Sequence, residues 1–323
     1  MTTAIDGFAG AGGSTEGLTQ AGIDVLVAAN HWPTAVATHK LNHPGIEHRI
    51  ANLSETNWSS FPRTAIAWWS PSCVGHTLAT GKKAPTADQE RRRDTAAAVD
   101  RATAFAAVAC ADLHRQPVLL IENVLNFRRW ALYPGWLGML HALGYRTREL
   151  ILNARDFGHA QDRKRLFIVA TQPGVEIDLT MPPQSAVPAS TILDPDLGER
   201  VTRRLYVTPQ IEEITEDGVP HLVTYRNHAR ARRADRYPIA TVTAGGNHHA
   251  VATLVDGVPH HRMLTDRERA RAQGFPDTYR FTSRESRDVI KQIGNAVPVG
   301  IARWLGECAA AALGETTTQE VAA

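Results

Sequence analysis

The sequence predicts an α/β protein: a seven-stranded, mostly parallel, doubly wound sheet joined to a smaller lobe of different texture. Three observations predict it. The first half alternates short β-branched or apolar runs with helical patterns, the signature of a parallel sheet covered by helices on both faces. The chain has 323 residues, more than the ~250–300 at which single cores stop growing, so a second lobe is permitted. From Gln172 to Arg262 the texture changes, with nine prolines and only scattered strand-like runs such as Leu222 to Tyr225 and Pro238 to Thr243.

The seven strands are expected at Thr2–Asp6, Asp24–Ala29, His48–Ala51, Thr64–Trp69, Pro117–Ile121, Arg146–Asn153 and Arg165–Ala170, the last two close enough to pair antiparallel. A first helix is expected over Ser14–Gln20. Asp94–Arg115 sets Val99, Ala102, Ala106, Ala109 and Leu113 on one stripe and predicts a single long amphipathic helix. Ser70–Arg93, before it, is too long for an ordinary connection and reads as a functional loop. Thr265 and Glu268 form a capping box that opens a late helix. A final helix starts near Pro298 and runs to Leu313, and Gly314–Ala323 reads as a frayed tail. The division expected is a first domain over 1–171, a separate smaller lobe over 172–262, and closing helices over 263–323.

The bulk numbers exclude some classes. A formal net charge of +2 is too mild to betray a polyanionic partner, so any nucleic-acid face must be local. No apolar run approaches the ~18 residues of a membrane span and the start lacks a positive n-region, so a soluble cytoplasmic protein is expected. Cys73, Cys110 and Cys308 show no zinc or redox spacing. His248 and His249 lack a third ligand, so no metal is assigned.

Chemistry gathers where strands end. Strand one runs into Asp6-Gly7-Phe8-Ala9-Gly10-Ala11-Gly12-Gly13, glycines that let backbone approach a ligand at the carboxyl edge of the sheet, although a tight structural turn fits equally well. Strand four delivers Cys73, a thiol able to act as a nucleophile once deprotonated. Cys110 and Cys308, inside alanine-rich helices, read as small buried hydrophobes. Strand five ends in Glu122-Asn123-Val124. In Gln161-Asp162-Arg163-Lys164-Arg165, alternation puts Gln161, Arg163 and Arg165 on one face, suited to a base oxygen or a phosphate. Gln273-Gly274-Phe275-Pro276 and Gln292-Ile293-Gly294-Asn295-Ala296-Val297-Pro298 are compact turns.

The order of these elements resembles the DNA (cytosine-5) methyltransferases across nearly the whole chain. The resemblance implies an S-adenosylmethionine-dependent methyltransferase fold, with the target-recognition lobe inserted after Gln161-x-Arg163-x-Arg165. It implies that Cys73 adds to C6 of a flipped-out cytosine in double-stranded DNA, that Glu122 contacts ring N3, and that Arg163 and Arg165 hold the base and the loop. It carries Phe8, Gly10, Ala11, Gly12 and Gly13, with Asn295, Ala296 and Val297, to S-adenosylmethionine, whose product is S-adenosylhomocysteine. Where the family has acids after strands two and three, this chain has Asn30, followed by His31, and Asn52, followed by Leu53. Ser72 and Val74 also depart from the pattern around the cysteine. The missing carboxylates motivate an alternative donor, an anionic S-adenosylmethionine derivative. Lys82, Lys83, Arg91, Arg92 and Arg93 are placed by resemblance over phosphates, as are Arg226, Arg230, Arg232 and Arg233, with Thr241 and Thr243 near the target cytosine. The resemblance leaves open methylation of transfer RNA and a catalytically impaired DNA-binding homologue. It points to a monomer, free in the cell or working beside a cognate restriction endonuclease.

Overall fold

The computed structural model describes residues 1–72, 87–182, 187–283 and 285–322. Contacts divide the chain into two compact units, one of Met1–Leu152, Lys164–Thr180 and Ile301–Ala323, the other of Asn153–Arg163 and Met181–Gly300.

The first unit is built on β1 (Thr3–Gly7), β2 (Asp24–Asn30), β3 (Glu47–Ile50), β4 (Ile66–Trp69), β5 (Val118–Asn123), β6 (Arg146–Asn153) and β8 (Lys164–Thr171), the short β7 (Gln161–Asp162) belonging to the second. Their order is β3-β2-β1-β4-β5-β8-β6. β3, β2, β1, β4 and β5 pair parallel, and β8 runs antiparallel to β5. All seven expected strands are present. β4 and β5 are buried along their whole length, which is why they read in the sequence as continuous apolar runs. Trp69, Phe127, Trp136 and Leu140 form part of one core with Ile5, Val27, Leu119 and Ile121.

Around this sheet lie α1 (Gly13–Gln20), α2 (Pro33–Asn42), α3 (Ala87–Ala102), α4 (Phe105–His114) and α5 (Tyr133–Ala142). The single helix expected over 94–115 is two helices, and α3 begins inside the segment expected to be loop. The break falls at Thr103, whose hydroxyl donates to the carbonyl of Asp100 at 2.6 Å and accepts from the backbone N–H of Ser72 at 3.1 Å. Of the expected stripe only Ala106 is buried in the core. Val99 and Leu113 are exposed, while Ala104, Ala107, Cys110 and Ala111 are buried, because small side chains let α4 lie close against the core.

The second unit carries β9 (Glu199–Arg200), β10 (His221–Thr224), β11 (Arg232–Arg233), β13 (His249–Val255) and β14 (Val258–Met263) as a five-stranded sheet in the order β11-β10-β13-β14-β9, antiparallel throughout. β12 (Ile239–Ala240) pairs with β7. α6 (Thr208–Ile211), α7 (Asp266–Ala272) and α8 (Ser286–Asn295) complete it. The capping box at Thr265 and Glu268 is formed on both sides. The last helix, α9 (Val299–Ala322), extends beyond Leu313, where fraying was expected.

Among the described residues, the stretch Ser286–Gly314, which takes in α8 and the first part of α9, is long and apolar enough by composition to cross a membrane, against the sequence reading, but 61% of its most apolar window is buried inside the protein. That burial marks core helix, whose apolar surface faces the protein's own interior.

Candidate active site

In the first unit, strand register aligns four strand ends. Gly7 faces Ala29 and Trp69, and Trp69 faces Ile121. The residues that follow, Phe8, Asn30, Ser70 and Glu122, therefore lie along one carboxyl edge of the sheet, where parallel α/β sheets bind ligands.

The turn from β1 to α1 departs from ordinary backbone at three places: Phe8 at φ 62°, Gly10 at 56° and Gly12 at 100°. The last two need glycine because a Cβ is disfavoured there. Gly7 is required for a different reason, since a Cβ would stand 2.2 Å from the Trp69 ring. Ala11, Gly12 and Gly13 are buried, and the first N–H groups of α1 make this turn a suitable cradle for a polar ligand.

Asn30 and Asn52 each form a local turn. The Asn30 side-chain oxygen accepts from Trp32 N at 2.9 Å, and that of Asn52 accepts from Ser54 N at 3.2 Å. Asn30 is buried, His31 and Asn52 are exposed, and Leu53 is buried in the core.

Glu122 is the penultimate residue of β5 and is 8% exposed. Arg165 Nε lies 3.3 Å from Glu122 Oε1, the two side chains being 16% and 11% exposed. Next to it, buried Asn123 donates to the carbonyl of Pro71 at 3.2 Å and accepts from Val124 N at 2.8 Å. Pro71 and Ser72 are thus held from β5 and from Thr103, bringing the chain to the residue before Cys73. Cys73, Lys82 and Lys83 lie outside the described residues, and of Arg91, Arg92 and Arg93 only the helical backbone in α3 is described. Asn123 was passed over in the sequence, although it stands inside the Glu-Asn-Val run.

Arg163 has a different place from Arg165. It belongs to the second unit, is 2% exposed, and donates to the carbonyls of Val242 at 2.9 Å, Gly294 at 3.0 Å and Ala296 at 3.1 Å. Expected with Arg165 to hold the base and the loop, it here clasps the 242 segment to the end of α8 through its guanidinium. Alternation failed because Arg163 falls between β7 and β8, where the strand is interrupted.

A buried amide pair works beside it. Gln161 Nε2 donates to Gln273 Oε1 at 3.0 Å and to the carbonyl of Ala272 at 3.1 Å, its Oε1 accepts from Val242 N at 2.8 Å, and Gln273 donates to Ile293 O at 2.7 Å. His159 Nε2 accepts from Gly300 N at 2.9 Å. The glycines of both late motifs follow from this packing. A Cβ on Gly274 would meet the His159 ring at 2.3 Å, and one on Gly294 would meet Ala244 N at 2.3 Å. Asn295 is exposed at the end of α8, while Ala296 and Val297 are buried.

Of the residues placed against DNA, Arg226, Arg230 and Arg232 are exposed, Arg232 lying over the Tyr237 ring at 4.2 Å. Arg233 is held by Glu216 at 2.6 Å and Asp235 at 2.7 Å, two acids that offset its charge. Thr241 donates its hydroxyl to Asp162 O at 2.7 Å, and Thr243 pairs with Gly246 across a tight turn. Among the described residues no group of three His, Cys, Asp or Glu side chains could hold a metal ion.

Comparison with known proteins agrees with this fold. Residues 2–309 match the family described as C-5 cytosine-specific DNA methylase. The Type II methyltransferase M.MthTI of Methanothermobacter thermautotrophicus is 27% identical over 93% of this chain and 94% of its own. M.HgiDI of Herpetosiphon aurantiacus is 28% identical over 98% and 97%. Among solved structures, the Entamoeba histolytica methyltransferase EhMeth superimposes with a TM-score of 0.71 at 13% identity, over 97% of this chain and 99% of that one. The Dnmt2 methyltransferase of S. pombe gives 0.67 at 18% identity, over 97% and 99%.

Proposed function

This chain belongs to the C-5 cytosine-specific DNA methylase family and is a DNA cytosine-5 methyltransferase, and on that premise we propose that Cys73 is its nucleophile, Glu122 its proton donor and S-adenosylmethionine its methyl source. The observation that carries the reading is the Arg165–Glu122 pair at the carboxyl edge of the sheet, beside the Asn123 contact that holds Pro71. C5 of cytosine is a poor nucleophile. Addition of the Cys73 thiolate to C6 pushes the ring electrons toward C5, while a proton reaching N3 from Glu122 keeps charge from building on the ring. S-adenosylmethionine would supply the methyl group to C5. Loss of the C5 proton to water then returns its electron pair to the ring and expels the Cys73 thiolate, while the N3 proton returns to Glu122. Arg165 holds the Glu122 carboxyl toward the base, and the base must leave the helix for C6 to be reached.

The Phe8–Gly13 turn fits the donor: its left-handed backbone at Phe8, Gly10 and Gly12 lets N–H groups turn toward a ligand. The substrate proposed is double-stranded DNA, and the biological setting a Type II modification system. Trapping on DNA containing 5-fluorocytosine tests the chemistry, because fluorine at C5 prevents proton loss and strands the adduct. The full chain should give a covalent complex and Cys73→Ala none. A complex that persists in Cys73→Ala overturns the assignment, and methyl incorporation into RNA alone overturns the substrate.

A further inference from the structure

The glycine turn is rooted in a buried chain of hydrogen bonds that leads outward through α2 to β3. Asp6 Oδ2 accepts the hydroxyls of Ser14 at 2.6 Å and Thr15 at 2.7 Å, and all three residues are at most 1% exposed. Thr15 Oγ1 lies 2.9 Å from Nε2 of His39, also buried, and His39 Nδ1 lies 2.7 Å from Nε2 of half-buried His48.

Counting donors fixes the direction of this chain. Thr15 has one hydroxyl proton, and an ionised Asp6 can only accept it. With that proton directed to Asp6, His39 must donate from Nε2 to Thr15 and accept at Nδ1, so His48 must donate from Nε2. Every link then points a proton toward the carboxylate. Burial disfavours a further proton on His48, against the backbone of Ile46, and such a proton would not reverse any link. Such aligned chains strengthen one another in a low-dielectric interior.

Burial pushes Asp6 up to about 7 against the opposing hydroxyls of Ser14 and Thr15. Burial also holds His39 well below its ordinary value and lowers His48. The other titratable groups acting on the relay are Glu16 from α1, Lys40 from α2 and His43 just after it.

We propose that Thr15, His39 and His48 are positioning residues for the methyl donor, aligning the Thr15 hydroxyl on Asp6 so that the glycine turn holds its shape and donor affinity follows the ionisation of Asp6. This rests on the proposed binding of S-adenosylmethionine at that turn. Asp6 is raised, so the ionised, strongly accepting form exists above about pH 7 and is lost as pH falls through that value.

Calorimetric titration of S-adenosylmethionine into the full chain, across about pH 5.5–8.5, tests it. The dissociation constant should be flat at the alkaline end and rise, by up to roughly tenfold per unit, once Asp6 takes its proton. His48→Leu and Thr15→Val each remove a donor and should move the midpoint upward by about 0.5–1 unit. His48→Gln, whose amide can donate to His39, and Thr15→Ser should restore it. A midpoint shared by His48→Leu, His48→Gln and the wild type makes the relay mere packing and overturns the proposal alone. Failure of the wild type to bind at any pH overturns the donor reading with it.

Discussion

Arg165 and Glu122 meet at 3.3 Å from neighbouring antiparallel strands, β8 and β5, with both side chains mostly withdrawn from solvent. A carboxyl so placed is oriented by its partner and remains close enough to the sheet edge to reach a ligand. Glu122→Gln keeps the shape and a hydrogen-bonding amide but loses the acid, so single-turnover methylation should slow by about 10²–10⁴-fold. Arg165→Ala should slow the same step by leaving the Glu122 carboxyl unoriented, with DNA binding retained. A rate within twofold of wild type for Glu122→Gln would remove Glu122 from the chemistry.

Arg163 should act on the stability of the second unit. Removing its guanidinium leaves the carbonyls of Val242, Gly294 and Ala296 buried without that donor, and charged hydrogen bonds are each worth about 1.5–3 kcal/mol. Arg163→Ala should therefore destabilise the unit by about 3 kcal/mol or more in urea unfolding. Arg163→Lys keeps the charge without the planar fork and should fall between. Gly294→Ala, which drives a methyl into the Thr243–Ala244 backbone, should cost about 1–3 kcal/mol by overpacking. Unchanged midpoints in all three would show that the clasp carries no load.

What the sequence disclosed follows from how strongly each feature is written in hydrophobic contrast. β4 and β5 are buried on both faces, so Ile66–Trp69 and Val118–Asn123 read directly as apolar runs. α4 buries alanines and Cys110 instead of large side chains, and alanine contrasts too weakly with its neighbours to fix a face. Glu122 was legible because a single carboxylate follows an apolar strand. Arg163 and Arg165 were not separable, since spacing along a chain carries no information about which unit each side chain enters. The Asp6 relay left a trace in His39 of α2 and His48 of β3, but connecting them to Thr15 needed the fold.

The remaining cysteines make a chemical prediction about Cys73. Burial pushes the Cys110 thiol up to about 12 and the Cys308 thiol up to about 11. At pH 8 their thiolate fractions are then roughly 10⁻⁴ and 10⁻³, too small for rapid alkylation. Iodoacetamide on the native protein should therefore mark Cys73 first, and peptide mass spectrometry reads the site. Equal labelling of Cys110 under native conditions would contradict its burial.

His249 sets a pH limit on the second unit. Burial, with Arg226, His248 and Arg269 adding like charge, lowers its pKa from 6.5 to about 4. The folded form thus binds fewer protons than the unfolded chain between those values, so acid favours unfolding. Stability attributable to this group is complete above pH 6.5 and is lost as pH falls through the window toward about 4. A shift of that size corresponds to a loss on the order of 3 kcal/mol at its lower end. His249→Gln, neutral at every pH, should flatten part of the acid limb of a stability–pH curve measured by urea unfolding, whatever its effect at neutrality. A parallel displacement of the whole curve, with the acid slope intact, would mean that other groups, buried His39 among them, account for the loss.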